Sequence, residues 1–351
     1  MKGHTRRGVI GSAVSLAACQ RTSPARALEP PATALKLAAP FPVGVAVQAE
    51  QLNDPASGDL VASQFGQVTP EWQMKMEYIV QPDGGLRFTA PDAIAAFARR
   101  RNLRLFGHTL VWHAQRPAAF VDLDANQVTF RQAYANYIGS VVGRYRGQAV
   151  GWDVVNEAVA EDGDGWRDCL WSQRLGRFEY MRLAFQLARE ADPDAVLLLN
   201  DYNLEYLPAK RAAFLKLAEA LLEAGAPLGG LGTQTHVAID LSPGAITTCV
   251  RELAGLGLPL HISEMDVSTA RSKGLPLSGR GEESRQEALF AEAGRTFVAL
   301  PPAQRFAVTF WGLRDRDSWL RRANPDDTPL LFDDSSRPKP VLTSLETALK
   351  A

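Results

Sequence analysis

Cysteine is scarce in this chain: Cys19, Cys169 and Cys249 are the only three among 351 residues. That excludes a disulfide-dense scaffold and a four-cysteine metal site, although an oxidising compartment would allow Cys169 and Cys249 to pair. An excess of one charge is also missing. Lys and Arg number 38 against 39 Asp and Glu, so there is neither the basic stripe of a nucleic-acid binder nor a disordered acidic tail. No run in the body of the chain reaches the ~18 apolar residues that cross a bilayer. No Gly/Ser-rich linker or short repeat divides the chain after Ala38, and a single α/β barrel accommodates this length. A neutral partner is permitted, but not selected, by these absences.

The N-terminus is patterned differently. Lys2, Arg6 and Arg7 precede small and apolar residues from Gly8 to Ala18, so residues 1–19 read as an export signal of twin-arginine type. Leu16, Ala17, Ala18 and Cys19 resemble a lipoprotein cleavage box, which would place a lipid on Cys19; the alternative is ordinary cleavage near Ala27. Residues 20–38, with Pro24, Pro30 and Pro31, read as a flexible tether. The expectation is an exported monomer whose membrane contact is limited to that lipid.

From residue 39 onward, short β-rich apolar runs alternate with longer amphipathic stretches, as in repeated βα units around a parallel sheet. Strands are expected at 41–47, 64–69, 103–108, 150–156, 195–200, 230–236, 259–265 and 306–311. Helical spacing marks 91–101, 179–190, 209–223 and 284–299. The fold class that follows is a single (β/α)8 TIM barrel over 39–351. Several strands close on polar or aromatic residues: His108, Asn156 with Glu157, Asn200 with Asp201, Gln234 with His236, Glu264 with Asp266, and Trp311. Barrel enzymes place their chemistry at that C-terminal rim. A lining of carboxylates, amides, imidazoles and indoles suits a hydroxyl-rich ligand with flat apolar faces.

Glu157 ends the fourth strand and Glu264 the seventh, so the two face each other across the mouth. Two carboxyls across a cleft are the minimum equipment for glycoside hydrolysis. Most glutamates are merely solvated, so the neighbours must carry the argument. A rival reading gathers His108, His113, His236 and His261 around zinc, but the first strand lacks the paired histidines such barrels use. No metal or other cofactor is expected.

Ordered motifs supply those neighbours. They are Val68-Thr69-Pro70-Glu71 with Met74-Lys75; Gly107-His108-Thr109-Leu110-Val111-Trp112-His113 with Gln115; Trp152 through Glu157; and Asn200-Asp201-Tyr202-Asn203. Further along stand Gln234-Thr235-His236, Ser263-Glu264-Met265-Asp266, Trp311-Gly312 with Asp317-Ser318-Trp319, and Pro329-Leu330-Leu331-Phe332-Asp333. From Phe41 to the C-terminus the sequence resembles the family 10 glycoside hydrolases, the β-1,4-xylanases. The resemblance implies a retaining endo-xylanase acting on xylan and xylo-oligosaccharides, with Glu157 as acid/base and Glu264 as nucleophile. Retention requires carboxyls only ~5 to 5.5 Å apart and a covalent glycosyl-enzyme. Glu157 is then expected to titrate high in the free enzyme.

The same resemblance gives His236 and Asp266 the task of holding Glu264 charged, and Asn156 a bond to the sugar 2-hydroxyl. Gln234 would orient Glu157 or that hydroxyl. Glu71, Lys75, His108, Trp112 and Gln115 would hold sugars on the non-reducing side, roofed by Trp311 and Trp319, with Tyr202 near the scissile bond. Trp152 and Trp171 are core candidates, and Trp166 lies in a loop. Three positions depart from the family pattern: Trp72 stands where an asparagine is usual, and Met76 and Phe120 where tryptophans are. Trp72 thus predicts an altered second sugar subsite. Two other readings are a non-catalytic xylan-binding relative, which would have lost a carboxylate, and a β-glucan-active hydrolase on the same barrel.

Overall fold

The computed structural model describes residues 1, 3, 34–123, 127–270 and 280–350. The described residues from 34 onward belong to one compact unit. The export signal, Cys19 and all but the end of the expected tether lie outside the described residues. The end of the tether is corrected: Leu35–Ala38 is a short helix, and Leu35 is buried in the hydrophobic core.

Eight parallel strands close a barrel among the described residues: β1 Val43–Val47, β2 Gln67–Pro70, β3 Arg104–Gly107, β4 Ala149–Asn156, β5 Val196–Asp201, β6 Gly230–Thr233, β7 Leu260–Ser268 and β8 Arg305–Phe310. Each pairs with the next, and β8 returns to β1 with Val43 opposite Val308. Val, Leu and Ile dominate these strands because helices cover them outside and side chains fill the lumen, so neither face meets water. The expected strand at 64–69 starts late, since Gln64 ends the preceding helix. The expected strand at 230–236 is split: it breaks at Thr235, whose φ is 54°. His236–Ala238 then forms a second short ladder against the end of β7, with His236 opposite Asp266.

The helices that follow the strands are α1 Pro55–Gln64, α2 Thr89–Arg100, α3 Gln127–Arg144, α4 Glu179–Ala191, α5 Pro208–Glu223, α6 Ala245–Ala254, α7 Arg280–Val298 and α8 Pro340–Leu349. Local chemistry sets their starts. Asp54 accepts from the amides of Ala56 and Ser57 while Pro55, Pro208 and Pro340 occupy first-turn positions where no amide partner is needed. In α4 the buried set Tyr180, Met181, Ala184, Phe185 and Ala188 follows helical spacing, which turns one stripe onto the barrel. Trp152 and Trp171 are fully buried; truncating either to alanine should cost about 3–5 kcal/mol. Cys169 and Cys249 are buried free thiols.

Candidate active site

A cleft of about 640 Å³ opens at the C-terminal ends of the strands, lined by Glu157, Glu264 and eighteen other residues. β4 and β7, with eight and nine residues, are the longest of the eight strands, and they carry the two glutamates to the mouth. Glu157 adopts φ 57°, in the left-handed region, as β4 turns into the next loop. A non-glycine residue there is held by its surroundings at a cost of about 1–3 kcal/mol, a feature that clusters at functional sites.

A chain of three amides, Asn200, Asn156 and Gln234, ties the two carboxylates together. Asn200, at the end of β5, donates to Glu264 Oε1 at 3.0 Å and to Asn156 Oδ1 at 2.9 Å. Ser263 donates to Asn200 Oδ1 at 2.8 Å, which orients the amide. Gln234 donates to Asn156 Oδ1 at 3.3 Å and to Glu157 Oε1 at 2.9 Å, completing the link. The neighbour on β6 has to be glycine: a Cβ on Gly232 would stand 2.3 Å from Asn200 Oδ1.

The carboxylates differ in their partners. Glu157 Oε2 accepts from Trp112 Nε1 at 2.7 Å and lies 3.3 Å from His113 Nε2. Burial pushes Glu157 up, but the donors His113, Gln234 and Trp112 outweigh it and hold the carboxyl below its ordinary range. That direction runs opposite to the high-titrating acid expected from the sequence. Glu264 Oε2 lies 3.4 Å from His236 Nε2, and His236 Nδ1 lies 2.9 Å from Asp266 Oδ2. Burial disfavours the imidazolium, yet Asp266 and Glu264 raise it to about 10. The charged form of His236 is thus favoured at 3.4 Å from Glu264, and the contact aims the carboxylate.

His108 is different. Its Nδ1 is 2.8 Å from Asp153 Oδ2 and 3.9 Å from Glu264 Oε1. Burial and the Glu264 charge push Asp153 well up, and burial with the nearby Lys75 pushes His108 well down. Both shifts favour the uncharged forms of the pair, and of the two imidazoles His236 lies nearer Glu264, at 3.4 Å against 3.9 Å. His108, Asp153 and Glu264 offer ligand atoms within 4.8 Å of one another, and His108 Nδ1 is bonded to Asp153 Oδ2 while Glu264 Oε1 accepts from Asn200. The four histidines do not converge as the zinc reading required: His261 bonds Thr309 at 2.8 Å, and burial lowers it to about 3.

A model of glycosyl hydrolase family 10 matches residues 33–348. The chain belongs to that family. It is 34% identical over 347 residues to the endo-1,4-beta-xylanase A of Cellvibrio japonicus, covering 89% of this chain and 56% of that protein. It is 35% identical over 330 residues to the endo-1,4-beta-xylanase B of Paenibacillus barcinonensis, covering 89% and 96%. The crystal structure of xylanase XynB from P. barcinonensis, complexed with a conduramine derivative, superposes with a TM-score of 0.83 at 33% identity, covering 90% of this chain and 98% of that one. The chain spans only 56%, 46% and 29% of three of the curated relatives it matches.

On the family 10 barrel, Glu71, Trp72, Lys75, His108, Trp112, Asn156, Tyr202, Gln234, His236, Asp266, Trp311 and Trp319 all line the cleft. The Lys75 ammonium lies 4.8, 5.6 and 5.8 Å from the rings of Trp112, Trp72 and Trp311. Burial lowers its pKa against the pull of Glu264, Glu71 and Glu157. Trp319 is exposed and donates its Nε1 to Asp266 Oδ2 at 3.0 Å, so the roof touches the relay behind Glu264. Gln115 is a correction: it is buried, away from the cleft, accepting from the Glu77 amide at 2.7 Å and donating to Glu77 Oε2. Of the departures, Met76 and Phe120 are buried in the core, whereas Trp72 is 42% exposed on the cleft wall.

Sequence reading assigned no site role to Asn200, His113, Gln48, Asn203 or Arg322, although Gln48, Asn203 and Arg322 line the cleft and the other two bond its carboxylates. Asn200 stood among the polar strand ends, but its bond to Glu264 was not expected, and Gln48 could have been found by its place just after β1. Arg322, in the loop after β8, carried no such signal.

Proposed function

We propose that this chain is a retaining endo-1,4-β-xylanase that hydrolyses internal xylosidic bonds through a covalent glycosyl-enzyme. The observation that carries the reading is the unequal environment of two carboxylates joined by one amide chain. Glu264, beside the His236 imidazolium, remains a carboxylate suited to attack the anomeric carbon. Glu157, ringed by N–H donors, exchanges the proton: it protonates the departing oxygen, then takes a proton from the water that releases the sugar. Because N–H donors favour the charged form of Glu157, the acid step calls for a bound sugar that raises it. A sugar does so by excluding water from a carboxyl that burial already destabilises, and by drawing Asn156 and Gln234 toward its hydroxyls. Lys75 and the indoles of Trp112, Trp311 and Trp319 supply hydroxyl contacts and flat apolar faces for the pyranose chain.

The test is the product profile on unsubstituted xylan against carboxymethylcellulose, with Glu264→Ala as control. Short xylo-oligosaccharides of retained anomeric configuration from the wild type alone support the reading. Preferential cleavage of carboxymethylcellulose would select the β-glucan reading, and binding without cleavage of either would select a non-catalytic one.

We also propose that residues 1–19 direct export of a monomer and that Cys19 carries a lipid. Leu16, Ala17 and Ala18 before Cys19 support this. Radiolabelled palmitate should enter the wild type and not Cys19→Ala in a bacterial host; equal label in both removes the anchor. A Stokes radius near that of a 38.2 kDa sphere on size exclusion checks the monomer.

A further inference from the structure

We infer that Lys210 is a positioning residue: its buried ammonium keeps the cleft wall formed by Tyr202 and Asn203 in register with the loop that carries Glu157. The inference rests on the xylanase reading above. Lys210 lies in the first turn of α5 and is fully buried. A cation gains nothing from the positive end of a helix, so stabilising α5 does not explain it. Its partners do: Nζ lies 2.9 Å from Glu161 Oε2, 3.1 Å from Asp201 Oδ1, and 3.5 Å from the centre of the Tyr202 ring.

Those partners come from both loops. Asp201 ends β5; its Oδ1 accepts from the Tyr202 amide at 2.9 Å and its Oδ2 from the Val159 amide at 3.1 Å, two residues after Glu157. Glu161, in the loop after β4, accepts from Asn203 Nδ2 at 2.6 Å. Arg167, further along that loop, donates to the Tyr202 hydroxyl at 2.9 Å. The same loop packs on the start of α5: Gly163 has φ 76°, and a Cβ there would stand 2.7 Å from the Ala209 carbonyl carbon. The amide of Glu157 donates to Asn200 O at 2.8 Å, so the acid/base is strung between the strand that leads to Asp201 and the loop that Lys210 holds.

Tyr202 and Asn203 line the cleft, and a displaced wall misplaces the leaving sugar relative to the Glu157 proton. The consequence is selective. A xyloside leaving group needs that proton and the wall that seats it, whereas a dinitrophenolate departs without a proton and seats no sugar there. The first bond cleavage, read as kcat/KM, separates the two cases.

The experiment measures kcat/KM of wild type, Lys210→Met and Glu161→Gln on xylopentaose and on 2,4-dinitrophenyl β-xylobioside. Lys210→Met should lose at least tenfold on xylopentaose, toward the ~100-fold loss that a misplacement of about 1 Å produces, and stay within about threefold on the aryl glycoside. Glu161→Gln, altered at a half-exposed side chain, should show the same split, smaller. Equal losses on both substrates, or no loss on either, would overturn the inference. If Lys210→Met does not fold, the Glu161→Gln ratio decides, and the absence of a split there rejects the positioning role. Failure of the wild type on both substrates would instead defeat the xylanase reading.

Discussion

His236 lies 2.9 Å from Asp266 through Nδ1, and this contact, together with Glu264 on the other ring nitrogen, lifts the imidazole from 6.5 to about 10. The folded chain binds that proton more tightly than the unfolded chain does. The stability it contributes is therefore complete below about pH 6.5 and is lost as pH rises toward 10. Urea unfolding across that window should show the wild type weakening more steeply than His236→Gln; parallel curves would refute the assignment of a charged histidine.

Trp112 controls the other carboxylate. Its Nε1–H favours the charged form of Glu157, so Trp112→Phe, which keeps an aromatic face and removes the donor, should raise the Glu157 pKa. The alkaline limb of kcat/KM reports loss of the catalytic acid and should move to higher pH. A limb that stays put, or moves down, would place the acid elsewhere.

Asn200→Ala removes the bridge between the two carboxylates. Hydrogen bonds to charged groups contribute about 1.5–3 kcal/mol, which corresponds to a loss of roughly 10- to 100-fold in kcat/KM on xylan. Activity within a factor of two of wild type would show that Glu264 is held by His236 alone.

At the second sugar subsite, Trp72→Asn restores the residue usual in the family. If the indole contacts that sugar, kcat/KM on xylotriose should change by the worth of a hydrogen bond, about 0.5–1.5 kcal/mol or roughly two- to tenfold. No change would mean that the exposed ring stands clear of the sugar.

The barrel was legible because its signal is local and repeated. Most strands are short apolar runs rich in Val and Leu, and helices such as 179–190 show a periodicity that survives in Glu179–Ala191. Boundaries were less legible where two patterns met. Gln64 looked like a strand residue because Phe65 follows it, yet it completes the last turn of α1. The split at Thr235 came from a left-handed backbone residue, φ 54°, that alternation of polar and apolar residues does not encode.

The sequence by itself determined which side chains reach the rim: Glu157, Glu264, His236 and Asp266 stand at or just past the C-terminal ends of the expected strands, and those ends share one face in a parallel barrel. It also pointed to Trp152 and Trp171 as core residues, since packing is the commoner role of a tryptophan, and both are buried. Only the tertiary structure decided the charge states. Glu157 is held low by donors from β6 and from the segment after β3, and His236 is raised by carboxylates on β7. Only it turned Gln115 away to Glu77 and put Lys210 beneath Tyr202. The reason is physical: a rim position follows from the phase of one strand, whereas a pKa or a contact sums over partners from segments up to about a hundred residues apart, and no local pattern constrains that sum.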